Sequence, residues 1–191
     1  RYTYSATLYP NDGTRPIGSD PRSAFAIQAL ATYTPKGVKY DPSITASFTH
    51  LSGEKDLNDA GTYTGWDAMF EDQAGGTIFN AIMGYSNANF SNVSASVKPM
   101  DDVKLVLDYY NILLDKRYRS NKILSGVTTM KTYTMTDKKH LADEIDLNLI
   151  YDYTEDVQLG LGCGWFIPST AFSKVNRKVA SQLVGSMKVV F

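Results

Sequence analysis

Ile145-Asp-Leu-Asn-Leu-Ile-Tyr-Asp-Tyr153 and Val157-Gln-Leu-Gly-Leu-Gly-Cys-Gly-Trp-Phe-Ile167 decide the fold. In the first stretch Ile145, Leu147, Leu149, Tyr151 and Tyr153 alternate with Asp146, Asn148 and Asp152, and Glu144 precedes them on the polar side. Ile150 is the one exception. A strand sends successive side chains to opposite faces, so one face is apolar and the other carries charge. In the second stretch Val157, Leu159, Leu161, Cys163, Trp165 and Ile167 oppose Gln158, Gly160, Gly162 and Gly164. A third stretch sets Leu183, Met187, Val189 and Phe191 against Gln182, Ser186 and Lys188. Segments of about ten alternating residues, with aromatics near their ends and a polar second face, fit strands that cross a membrane as part of a barrel.

Composition agrees. The chain has 191 residues, a formal net charge of -1 and a mean hydropathy of -0.25. Bulk charge therefore names no partner, and nothing points to nucleic acid. A helical membrane protein would show apolar runs of about eighteen residues or more, and none occurs. A barrel hides its apolar content at every second position. Thirteen Tyr and eight Phe suit aromatic girdles at the membrane interfaces. A single Cys excludes an internal disulfide and a Cys-based metal cluster. No cofactor motif is present.

Working backward, the same alternation predicts earlier strands at Tyr2–Leu8, Phe25–Tyr33, Ser43–Thr49, Asn92–Lys98 and Lys104–Leu113. The fold expected is all-β: an antiparallel up-and-down transmembrane β-barrel, about eight strands of it, forming one domain over residues 1–191. Short turns are expected at Pro35–Gly37, Pro99–Asp102 and Thr154–Asp156. A Pro/Gly/Asp-rich loop spans Pro10–Pro21, and long connections follow Thr49, Leu113 and Pro168, the one after Thr49 acidic and the one after Leu113 basic, with Lys116, Arg117, Lys138 and Lys139 in the basic one. Outer-membrane barrels have short periplasmic turns and long extracellular loops, so loop length and strand parity agree. Arg1 leads straight into an alternating strand, and the small inward residues would underfill an eight-stranded cylinder. The expectation is therefore the C-terminal part of a larger barrel.

Candidate functional residues are the inward-facing charges Lys98, Lys104, Asp108, Glu144, Asp146, Asp152 and Lys188, because charge on a lumen wall sets which solutes pass. The competing reading is that they pair with one another across the wall. His50 and His140 read as surface residues at strand ends. Asp56, Asn58 and Asp59 miss the spacing of a calcium loop, so no metal site is expected. Gly160, Gly162 and Gly164 read as a flat stretch of wall where something lies close. The rival functions are a small barrel enzyme, which needs a Ser/His/Asp cluster at the extracellular rim, and a structural barrel sheathing a partner protein. No catalytic residue is assigned.

The run from His140 to Thr154, then Val157 to Pro168, Ala171-Phe172 and a closing strand ending in Phe191 resembles the C-terminal end of the alginate export family of outer-membrane porins. Asp102–Tyr110 is a looser match to an earlier hairpin. The resemblance implies a large monomeric barrel in the bacterial outer membrane, passing a hydrophilic solute or an anionic polysaccharide. It implies contact with outer-membrane lipid and lipopolysaccharide, and recognition of Phe191 by the barrel assembly machinery. The best-known member uses an arginine-rich constriction. This sequence departs from that, with no Arg and with four carboxylates against three Lys among its inward charges.

Overall fold

The computed structural model describes residues 23–54, 62–66, 75–82, 86–118, 123–125 and 132–190. Within them, seven strands form one antiparallel sheet: β1 (Ala26–Tyr33), β2 (Ser43–Leu51), β3 (Ala88–Met100), β4 (Val103–Leu114), β7 (His140–Asp152), β8 (Val157–Pro168) and β9 (Ala180–Val189). Each pairs with its neighbour in chain order, apart from a small hairpin, β5 (Ile123–Ser125) with β6 (Thr132–Thr134), inserted between β4 and β7. The all-β, up-and-down reading holds. The expected strand Tyr2–Leu8 and the acidic residues Asp56, Asn58 and Asp59 lie outside the described residues. Among the described residues the sheet is open, with β1 and β9 as its edges.

Local chemistry sets the connections. Met100 is the register partner of Val103, leaving a two-residue turn at Asp101-Asp102. Pro99 has no N–H to give the ladder, and the register of β3 on β4 shifts between Val97 and Met100. Residues 153–156 close the β7–β8 hairpin through Thr154 N–H to Val157 O (3.1 Å) and the reverse bond (3.3 Å). The turn expected at Pro35–Gly37 is present, within a longer connection. The connection runs over 34–42 and needs three residues at positive φ, Gly37 (72°), Tyr40 (72°) and Asp41 (42°). All three short connections lie at one end of the sheet. The long ones lie at the other, as the parity argument expects.

Two elements were not legible beforehand: the β5–β6 hairpin, and α1 (Thr77–Ile82) in the long β2–β3 connection. Helix α1 lies on one face of the sheet, here called the inner face. At the loop end of that face sits the hydrophobic core: Ile78, Phe79 and Ile82 from α1 against Phe90, Ile112, Leu141, Ala142, Phe166 and Phe172. The Phe79 and Phe90 rings meet edge to face, centroids 4.9 Å apart, a favoured aromatic geometry.

The outer face is inverted relative to a soluble protein. Ile44, Phe48, Val93, Leu107, Leu147, Leu161, Leu183 and Met187 are all exposed there. Leu147 and Leu161 retain 41% and 47% of their accessible surface. Register places Tyr109 beside Ile145, and Ile145 beside Trp165, at the loop-side border of this band; Tyr151 and Tyr153 mark the opposite border. A continuous apolar band of this extent, framed by aromatics, has lipid as its natural solvent.

Candidate functional site: a helix clasped to the inner wall

Strand β7 presents Glu144 and Asp146 on the inner face, one pleat repeat apart. Register neighbours are Tyr110 and Phe166 for Glu144, and Asp108 and Gly164 for Asp146. Both carboxylates are spent on α1. Ile78 N–H donates to Glu144 Oε1 at 2.6 Å, and Phe79 N–H to Glu144 Oε2 at 2.9 Å. Thr77 N–H donates to Asp146 Oδ2 at 3.2 Å and its hydroxyl to Oδ1 at 3.3 Å. The first N–H groups of a helix have no partner within the helix. Here the oxygens of two acidic side chains accept from them, at the end where the helix dipole favours anions. Glu144 is fully buried and Asp146 nearly so.

Glycines make this approach possible. A Cβ on Gly76 would overlap the Glu144 carboxyl group. Gly75 stands at φ +86°, and a Cβ there would meet the Phe90 ring at 2.8 Å. On the wall, a Cβ on Gly164 would lie 2.6 Å from Asp146 Oδ1 and 3.1 Å from Ile78 Cδ1. The flat stretch read from Gly160, Gly162 and Gly164 thus has, at Gly164, a helix side chain lying over it.

The other predicted charges lie elsewhere on the sheet. Asp108 is half-buried and opposite Asp146. Lys104 is opposite Ile150, and Lys188 opposite Gln158, which faces Asp152 in turn. Lys98 lies at the β3 bulge, its backbone N–H donating to Tyr40 O at 2.7 Å. Gln158 Nε2 donates to Asp152 Oδ1 at 2.7 Å. Lys98, Lys104, Asp152 and Lys188 are exposed near the short-turn end, whereas Asp108 and Asp146 share a level nearer the loop end and Glu144 lies one pleat repeat beyond them, with burial increasing from Asp108 to Asp146 to Glu144. Away from Lys98, the wall formed by β1 to β3 carries neutral polar pairs, with Thr32 to Thr45 (2.9 Å), Gln28 to Thr49 (3.0 Å) and Ser47 to Asn92 (3.4 Å) bridged side chain to side chain.

Sequence reading missed a network on the outer face at the loop end. Ser169 Oγ lies 2.8 Å from His140 Nδ1, and His140 Nε2 lies 3.2 Å from Asp143 Oδ2. Asp143 Oδ1 accepts from the Tyr109 hydroxyl (2.8 Å) and from Asn111 Nδ2 (2.9 Å). Positions three apart on a regular strand face opposite ways. A bulge in β7 opposite Ile112 and Leu113 shifts the β4–β7 register and brings His140 and Asp143 to one side. His50, read like His140 as a surface residue at a strand end, bonds Asn89 Oδ1 through Nδ1 at 2.6 Å.

The sequence model of the alginate export family matches residues 1–186. No curated protein and no solved structure matches this chain.

Proposed function

This chain belongs to the alginate export family, and from that premise we propose that it forms the wall of an outer-membrane channel giving passive passage to a hydrophilic solute or polysaccharide. The observation that carries the reading is the two-faced sheet: an apolar band framed by aromatics outside, and polar residues with a clasped helix inside. Lipid selects the first face and a water-filled lumen the second. Passage of this kind uses no nucleophile and no cofactor; the wall sets size and charge. Helix α1 is the constriction, and Lys98, Lys104, Asp108, Asp152 and Lys188 tune which ions enter. Lys116, Arg117, Lys138 and Lys139, at the long-loop end, suit the phosphates of lipopolysaccharide. Backbone groups at a sheet edge cannot stay unpaired in hydrocarbon, so β1 and β9 pair with further strands in the membrane. The test is reconstitution in planar bilayers. Discrete conductance steps are expected; folded, inserted protein without them overturns the proposal.

A second reading rests on the Ser169–His140–Asp143 network, which has the bond order of a hydrolytic triad with the two ring nitrogens exchanged. It predicts covalent labelling of Ser169 by a fluorophosphonate, lost in His140→Ala. An unlabelled Ser169 leaves the network as a polar tie between β4, β7 and the β8–β9 loop.

A further inference from the structure

We propose that α1 hides charge as well as space, so that its departure from the wall widens the lumen and shifts its selectivity toward cations. The inference rests on the reading that this face lines a pore.

Among the described inner-wall charges, α1 covers Glu144 and Asp146 and leaves the others accessible. With the helix seated, Lys98, Lys104 and Lys188 stand against Asp108 and Asp152 alone. With the helix displaced, the same three Lys stand against four carboxylates. The segment carries no charge of its own, since Gly75-Gly76-Thr77-Ile-Phe-Asn-Ala-Ile82 contains no Asp, Glu, Lys or Arg. Displacement of these eight residues therefore changes the accessible wall charge by uncovering what lies beneath them, and adds none of their own. The change is also local. Asp146 and Asp108 are register partners, and Glu144 is one pleat repeat away, so three carboxylates would converge at the level the helix vacates. The Lys residues all lie toward the short-turn end.

The seating is built to be complete yet reversible. A helix of six residues does not persist alone in water. It depends on the carboxylate caps and on the packing of Ile78, Phe79 and Ile82. Once it leaves, water replaces the cap bonds, so the carboxylates are not stranded in an apolar site. Open and closed states would then differ in ion preference as well as in bore, a coupling that a simple plug lacks.

Planar-bilayer recording tests this with Gly76→Leu, whose side chain cannot coexist with the Glu144 carboxyl group, and with deletion of residues 75–82. Heat-modifiable migration on gels verifies folding of each variant. Both should conduct severalfold more than the parent, with the reversal potential in a KCl gradient moving toward the potassium potential. Adding Glu144→Gln and Asp146→Asn should keep the larger conductance and abolish that movement. Larger conductance without a selectivity shift, or a shift that survives neutralisation, overturns the inference and leaves the pore reading standing. Parental conductance and selectivity in both helix variants also overturn it. Absence of conduction in every folded variant overturns the pore reading and this inference together.

Discussion

The backbone N–H of Ile78 donates to the Glu144 carboxylate across 2.6 Å, tying a segment of the β2–β3 connection to a strand 66 residues further along the chain. Neither residue's neighbours in sequence announce the other. Glu144 reads as an ordinary polar member of an alternating strand, yet it is fully buried and serves as the cap of a helix.

Removing the cap should loosen α1 without unfolding the sheet. Glu144→Ala leaves two helix N–H groups without their acceptor and should cost about 1–3 kcal/mol. Glu144→Gln keeps one carbonyl acceptor and should cost less. Hydrogen–deuterium exchange checks this: peptides covering 75–82 should exchange faster in both variants, more so in Glu144→Ala, while β7 and β8 stay protected. Unchanged exchange at Ile78 and Phe79 would show that packing alone seats the helix.

Gly164 and Ile78 should behave as a coupled pair. Gly164→Ala places a methyl 3.1 Å from Ile78 Cδ1 and 2.6 Å from Asp146 Oδ1, and overpacking of this kind costs about 1–3 kcal/mol. Ile78→Ala removes one of the two obstructing groups. The double variant should therefore be less destabilised than the sum of the singles, by about 0.5 kcal/mol or more, in urea unfolding from lipid vesicles. Strict additivity would mean that the methyl is accommodated entirely by Asp146.

What the sequence disclosed follows from how local each signal is. The faces of β7 and β8 were readable because period-two alternation needs only the strand itself, and the parity of loop lengths needs only counting. Strand ends were less readable. β7 starts at His140 rather than Ile145 because pairing continues past the alternating stretch, through a bulge opposite Ile112 and Leu113. The clasp was not readable at all. Gly75 and Gly76 look like loop punctuation, and only the folded chain shows that Glu144 and Phe90 fill the space their missing side chains leave. The Ser169–His140–Asp143 contact was equally hidden, since it depends on that bulge and on the β8–β9 loop returning Ser169 N–H to Leu141 O at 2.7 Å.

Adjacent residues on one strand should differ sharply in their tolerance of charge. Leu147 lies mid-band on the outer face and Asn148 on the inner. Arginine at Leu147 or Leu161 should cost roughly 2–4 kcal/mol near the bilayer midplane, whereas arginine at Asn148 meets a polar wall and should cost far less. Folding titrations in lipid vesicles measure both. Equal penalties at Leu147 and Asn148 would contradict a membrane-facing outer surface.

The last prediction concerns closure. An eight-stranded cylinder has an interior just wide enough to be filled by side chains, and a seven-stranded one would be narrower. The inner face described here already holds a helix whose Ile78, Phe79 and Ile82 pack against Phe90 and Phe166, together with long polar side chains at the other end. A cylinder closed by joining β1 directly to β9 has no room for that helix and a water path as well. The two edges should therefore pair with other strands and not with each other. Disulfide trapping tests this in a Cys163→Ser background. Cysteines at Ala46 and Val93, register partners in β2 and β3, should cross-link on oxidation in the membrane. Cysteines at Ala31 in β1 and Leu183 in β9 should not. Efficient cross-linking of the second pair would establish a small closed cylinder. The inner face would then be a packed core, with α1 as a permanent part of it, and a channel through this wall would be physically excluded.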